Sequence, residues 1–177
     1  MGDLVKKSKV APFINTGTAS TPVWTRIKKS TAFTLAMNPQ TKTYEFISSD
    51  QPESEIDGYQ PSLAQSLVMF KGEDDYEAIF DMLFNRPTGE DAHRDVLIVF
   101  YKETATYTPS STEVTVYKAM KADALVTINQ MDTVNETIDF DLGFNSIKTG
   151  AVTIGEGGAP TFIEGTFDDG TFVPAES

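Results

Sequence analysis

Asp139 and Asp141 stand two residues apart in "ETIDFDLGF", residues 136 to 144. In an extended segment that spacing sends both carboxylates out of one face, where they could share a divalent cation or act as a general acid and base pair. A solvated strand face explains them as well, because Ile138, Phe140, Leu142 and Phe144 alternate with them and claim the buried side. A cation site needs oxygens from several converging segments, and no Asp-rich loop with a glycine turn lies nearby. "GEGG", 155 to 158, has the glycines of a phosphate loop but neither its Lys-Ser/Thr end nor a following helix. "NET", 135 to 137, matters as a glycosylation acceptor only in a secreted chain. The single histidine, His93, lies in the polar stretch "TGEDAHRD" and reads as an exposed loop residue. The sequence predicts no catalytic residue, no metal and no cofactor, which leaves binding or assembly.

Composition narrows the field further. With 177 residues the chain is one domain on the usual length prior, able to bury roughly 70% of the surface its unfolded form exposes. There are no cysteines, so disulfides and thiolate chemistry are excluded. Fourteen bases against 26 acids give a formal charge of −12, which opposes binding to phosphate backbones and to anionic membranes. The longest strongly apolar run is "VLIVFY", 96 to 101, far short of the ~20 residues that cross a bilayer. Lys6, Lys7 and Lys9 are not followed by the apolar stretch of a signal peptide, so an intracellular protein is expected.

The elements that must position these residues are mostly strands. Residues 1 to 22, with Pro12, Gly17 and Pro22, predict an arm with one short strand, outside the core. Phe33, Leu35 and Met37 alternate, "NPQT" at 38 to 41 predicts a turn, and Tyr44 and Phe46 alternate again, which together make a hairpin. Residues 48 to 58 carry Asp50, Glu53, Glu55 and Asp57 and no base, and read as a long solvated loop. The period then becomes helical. Tyr76, Ile79, Phe80, Leu83 and Phe84 form one stripe, Asp74 with Glu77 is the expected cap, and Pro87 is the stop. A helix over about 74–86 needs a sheet to lie on, and those five side chains are its expected packing core, with the carboxylates of "EDDYE" favoured on its first turn. "DVLIVFYKE" reads as a strand covered on both faces, and "KTGAVTIG", 148 to 155, as a partner for "ETIDFDLGF". The remainder thins into glycine, acids and spaced phenylalanines, a half-ordered tail.

The order of these features resembles the major tail tube protein of long-tailed, siphovirus-type bacteriophages. The similarity covers most of residues 24 to 155 and rests on "TYEFI", "YQPSLAQ", "DDYEAIFDML" and the pair "ETIDFDLGF" and "TGAVTI". It implies a mainly β fold, a sandwich or small barrel with one flanking helix, over residues 23–155. An N-terminal arm, 1–22, and a Gly-rich C-terminal arm, 156–177, would flank it. It implies a virion protein, not an enzyme, assembled in the host bacterial cytoplasm. Six copies would close into a ring, and rings would stack into a tube that conducts DNA without binding it specifically. The other partners implied are tape measure and tail terminator proteins, with no membrane. Asp139 and Asp141 become candidate lumen acids, and Asp50, Glu53, Glu55 and Asp57 a candidate inter-ring loop. Lys28, Lys29, Lys42 and Lys71 mean that net charge alone does not make the lumen acidic. The rival readings are an adaptor, tail-completion or decoration protein of the same virion, and more distantly a carbohydrate-binding sandwich or a metal-dependent hydrolase. Trp24 as the only tryptophan counts against sugar stacking.

Overall fold

The alternation around Asp139 and Asp141 folds as predicted but does not stop where the sequence suggested. A computed structural model describes residues 2–176 and makes Thr137–Ile154 one continuous strand. "KTGAVTIG" is therefore the second half of this strand rather than its hairpin partner. Ile138, Phe140 and Leu142 are fully buried and Phe144 nearly so, while Asp139 and Asp141 stand half-buried on the opposite face. In chain order the strands are β1 (Val10–Asn15), β2 (Trp24–Arg26), β3 (Ser30–Ala36), β4 (Pro39–Tyr44), β5 (Glu53–Tyr59) and β6 (Ser62–Val68). The helix α1 (Asp74–Asn85) follows, and then β7 (His93–Tyr107), β8 (Val114–Asp132), β9 (Thr137–Ile154), β10 (Pro160–Asp168) and β11 (Thr171–Pro174).

Three long strands each serve two sheets. Their outer halves build an open sheet in the order β2-β1-β7-β8-β9-β6-β3. The distal halves of β7, β8 and β9 close with β10 and β11 into a small barrel, completed by the parallel contact of Thr171 with Thr106. The β7–β8 register breaks between Phe100 and Thr104, where the strands turn from one sheet into the other, as a bulge does at a barrel rim. Closure needs two glycines. A Cβ on Gly150 would run into the carbonyl oxygen of Ile163, and one on Gly165 into that of Val173. The fold is mainly β with one flanking helix among the described residues, in agreement with the sequence.

Three clusters hold it together. Under α1, Ile79 and Met82 pack on Leu63, Leu67, Val96, Ile98 and Phe140 of the open sheet. On the reverse of β7, Leu97 and Val99 meet Ala11, Phe13, Ala119 and Val152. Residues 96–99 are thus buried on both faces, as their unbroken apolar run predicted. The barrel encloses Ala105, Val116, Ala151 and Phe172, with Ile163 and Phe167 packed against them.

Both predicted arms contribute to these cores, which corrects the sequence reading. Val10–Asn15 pairs with both β7 and β2, and Ala11, Phe13 and Ile14 are buried. Its sequence, "VAPFIN", is short and holds a proline, yet Pro12 is accommodated and the segment is sandwiched by neighbours that propensity does not see. At the other end, β10 and β11 join across Asp169 and Gly170, both at positive φ, a two-residue turn whose twist suits a hairpin. Phe172 is 3% exposed. The outermost residues of the two predicted arms, 1 and 177, lie outside the described residues.

The predicted hairpin through "NPQT" does not form either. β3 pairs with β6, whereas β4 pairs with β5 in a separate two-stranded ribbon. Asn38, at φ 44°, is the corner where the chain leaves the main sheet. Half of the predicted 48–58 loop is therefore strand, because Ser54, Ile56 and Gly58 find cross-strand partners in β4.

Candidate functional site

The paired carboxylates are engaged by neutral donors. Asp139 accepts from the Ser66 hydroxyl at 2.6 Å and from Gln130 Nε2 at 2.7 Å, and Asp141 accepts from Asn129 Nδ2 at 2.7 Å. The strand neighbours on both sides, β6 and β8, supply these donors because their registers place Ser66 and Gln130 opposite Asp139. Among the described residues no group of three or more His, Cys, Asp or Glu side chains is close enough to hold a metal ion. The pair presents fixed, hydrogen-bonded negative charge on the sheet face that α1 does not cover.

His93 does not sit in a loop, as the sequence suggested. It opens β7, is half-buried, and its Nδ1 lies 2.9 Å from Asp123 Oδ2 and 3.5 Å from Asn145 Nδ2. "GEGG" forms a 3-10 turn between β9 and β10, with Gly157 and Gly158 at φ 71° and 79°, and its job there is to reverse the chain.

The helix is rolled relative to the expected stripe. Ile79 and Met82 are its buried apolar residues, with Tyr76 and Leu83 packed half-buried beside them. Phe80 is only half-buried and lies outside that cluster, and Phe84 is 70% exposed. Tyr76, Phe80 and Phe84 instead stack on one another along the helix flank, at centroid separations of 5.6 and 6.1 Å. The cause is the first turn. The Asp75 carboxylate, 2% exposed, accepts the backbone N–H groups of Lys28 at 2.8 Å and Lys29 at 3.1 Å, and this pins that face of the helix to the β2–β3 connection. Glu73, not Asp74, occupies the cap position, and Glu77 reaches back to the Gly72 N–H at 3.1 Å. The Lys71 ammonium, 2.9 Å away, together with that N–H, holds the Glu77 carboxyl below its usual range.

The ribbon carries all four acids predicted for an inter-ring loop. Glu53, Glu55 and Asp57 lie on or along β5, Asp50 in the connection, and all are exposed. The same element exposes Phe46, Ile47, Ile56 and Tyr59, Ile47 completely. Lys42 stands opposite Glu55 and over the Tyr44 ring at 5.5 Å, and Tyr44 stacks on Phe46 at 5.6 Å. A two-stranded ribbon in water is marginal by itself, and here it also shows apolar side chains to solvent.

A second uncovered feature lies at the end of α1. Pairing of β7 with β8 ends where His93 meets Leu125, so residues 126–132 of β8 have β9 on one side and, among the described residues, no strand on the other. Between this edge and the helix C-terminus runs a largely apolar groove of about 680 Å³, lined by Leu83, Arg86, Pro87, Ile128 and Met131 among others. At the neighbouring turn, the N–H groups of Asn135 and Val134 and the Asn135 amide keep the Asp132 carboxyl below its usual range.

No family model matches the chain, and no curated protein matches it. Among solved structures it is similar to a chain of the anti-feeding prophage baseplate, determined by cryo-electron microscopy with six-fold symmetrisation. The two are 11% identical, with 79% of this chain and 89% of that one covered, at a TM-score of 0.37.

Proposed function

We propose that this chain is a structural virion protein that polymerises as stacked six-membered rings into a phage tail tube, the conduit for DNA ejection. The β4–β5 ribbon carries the reading. It stands outside the main sheet, its four acids and its apolar tip are exposed, and such an element gains order by packing on another copy. The sequence resemblance to tail tube proteins supports the same conclusion. So does a −12 chain whose Asp139 and Asp141 are held by neutral donors, since a wall of like charge gives passing phosphates no contact that releases counterions. Its partners are then further copies of itself and, at the tube ends and interior, tail terminator and tape measure proteins. It works in the virion tail after assembly in the host cytoplasm, with no enzymatic step.

Replacing Ile47 and Ile56 together by Asp tests this reading. Both are exposed, so the double variant should melt like the parent yet sediment as a monomer under conditions where the parent forms rings. Unchanged assembly by a folded double variant would remove the ribbon from the contact.

A further inference from the structure

We propose that the aromatic ladder of α1 receives the N-terminal segment, residues 2–9, of a second copy. The inference rests on the self-assembly reading and names one contact within it. Phe84, 70% exposed, and half-buried Phe80 continue the stack begun by Tyr76, and the exposed acid Asp81, three residues before Phe84, stands beside them on the helix. Sequence periodicity assigned these rings to the core, and the anchoring of Asp75 turns them outward. Large stacked aromatics beside a carboxylate suit a partner that brings aliphatic side chains followed by cations.

The chain carries such a segment. Leu4 is 84% and Val5 52% exposed, and Lys6, Lys7 and Lys9 follow, all exposed and, among the described residues, in no ion pair. Residues 2–6 are irregular and precede a single 3-10 turn, Lys7–Lys9. Fully extended, these five residues reach about 17 Å, close to the ~18 Å length of a 12-residue helix. Asp3 of the segment stands 3.7 Å from Lys102 of its own β7, while Leu4, Val5 and the three lysines stay exposed and complement the helix flank in apolarity and charge. Complementary patches at different places on one molecule make a heterologous contact, which repeats from copy to copy and closes into a ring or continues as a filament.

The absence of cysteine makes the test direct. Full-length Gly2→Cys and Asn85→Cys variants, each otherwise unchanged, are mixed and mildly oxidised. The expected result is a mixed disulfide dimer in excess of both like-with-like dimers combined, lost when Lys6→Glu and Lys7→Glu are added to the first variant. In parallel, Phe84→Ser should weaken self-association measured by sedimentation about tenfold, with the melting temperature unchanged. A mixed dimer no more abundant than chance, while the parent still assembles, would overturn the contact and leave the self-assembly reading standing. So would an intramolecular disulfide in the Gly2→Cys/Asn85→Cys double variant as a monomer, which would mean that the segment folds onto its own helix. A parent chain that stays monomeric at every concentration would overturn both.

Discussion

Asp75 and Gln65 are two buried polar side chains with opposite consequences. Asp75 gives its carboxylate to two backbone N–H groups that otherwise have no acceptor in the β2–β3 connection. Asp75→Ala should therefore cost about 2 to 4 kcal/mol in urea melts, far more than its place on an acid-rich first turn suggests. Gln65 is 3% exposed between Leu63 and Leu67, and neither its amide nitrogen nor its oxygen has a protein partner. Gln65→Met keeps the length and removes the unpaired groups, so it should stabilise the fold by about 1 to 2 kcal/mol by the same measurement. Asp132 predicts a pH effect. Its carboxyl is more acidic folded than unfolded, so its contribution is present above the ordinary carboxylate range and is lost as pH falls through the lowered folded value. Asp132→Ala should lower the melting temperature at pH 7, and the gap to the parent should close as pH falls through the lowered folded value.

Helix α1 shows how far sequence reaches at the level of elements. Its limits were legible, because Pro87 and the polar residues around it end the apolar period one residue from the observed end at Asn85. Its rotation was not. Five apolar residues at i, i+3, i+4, i+7 and i+8 define a broad stripe, and which edge of it is buried depends on a carboxylate contact 47 residues away in sequence. Ile79→Ala should consequently cost about 2 to 5 kcal/mol, whereas Phe84→Ala should stay within about 0.5 and Phe80→Ala fall between them, all read from urea midpoints. The strands divide in the same way. Local alternation located the core face of β9, since Ile138, Phe140 and Leu142 need only the period of two. Partner choice is non-local, so β3 with β6, β4 with β5, and the capture of β1 between β7 and β2 were not legible. The β10–β11 hairpin was within reach, because Asp169-Gly170 between two phenylalanine-bearing runs is a strong local hairpin signal. Of the candidate site, the acids and their faces were readable, while the neutral donors that occupy Asp139 and Asp141 come from β6 and β8 and depend on register.

Across the whole molecule, a closed barrel and a helix-covered open sheet hold the buried clusters, and the uncovered apolar surface includes the ribbon, the helix flank and the β8 edge. In the proposed tube these surfaces would be covered by neighbouring copies, and the carboxylates of β9 would remain as fixed charge. If Asp139 and Asp141 line the channel, replacing both with Lys should preserve tubes but make them retain DNA at low salt. That retention should fall steeply as salt rises, by about 0.9 counterions per neutralised phosphate. Retention that is absent at low salt would place the pair elsewhere. Self-assembly is read out by electron microscopy of the purified full-length protein over a rising concentration series. Six-fold rings that stack into hollow tubes are the expected result, with the Ile47→Asp/Ile56→Asp variant remaining dispersed. Uniform single particles of one chain at every concentration would contradict it.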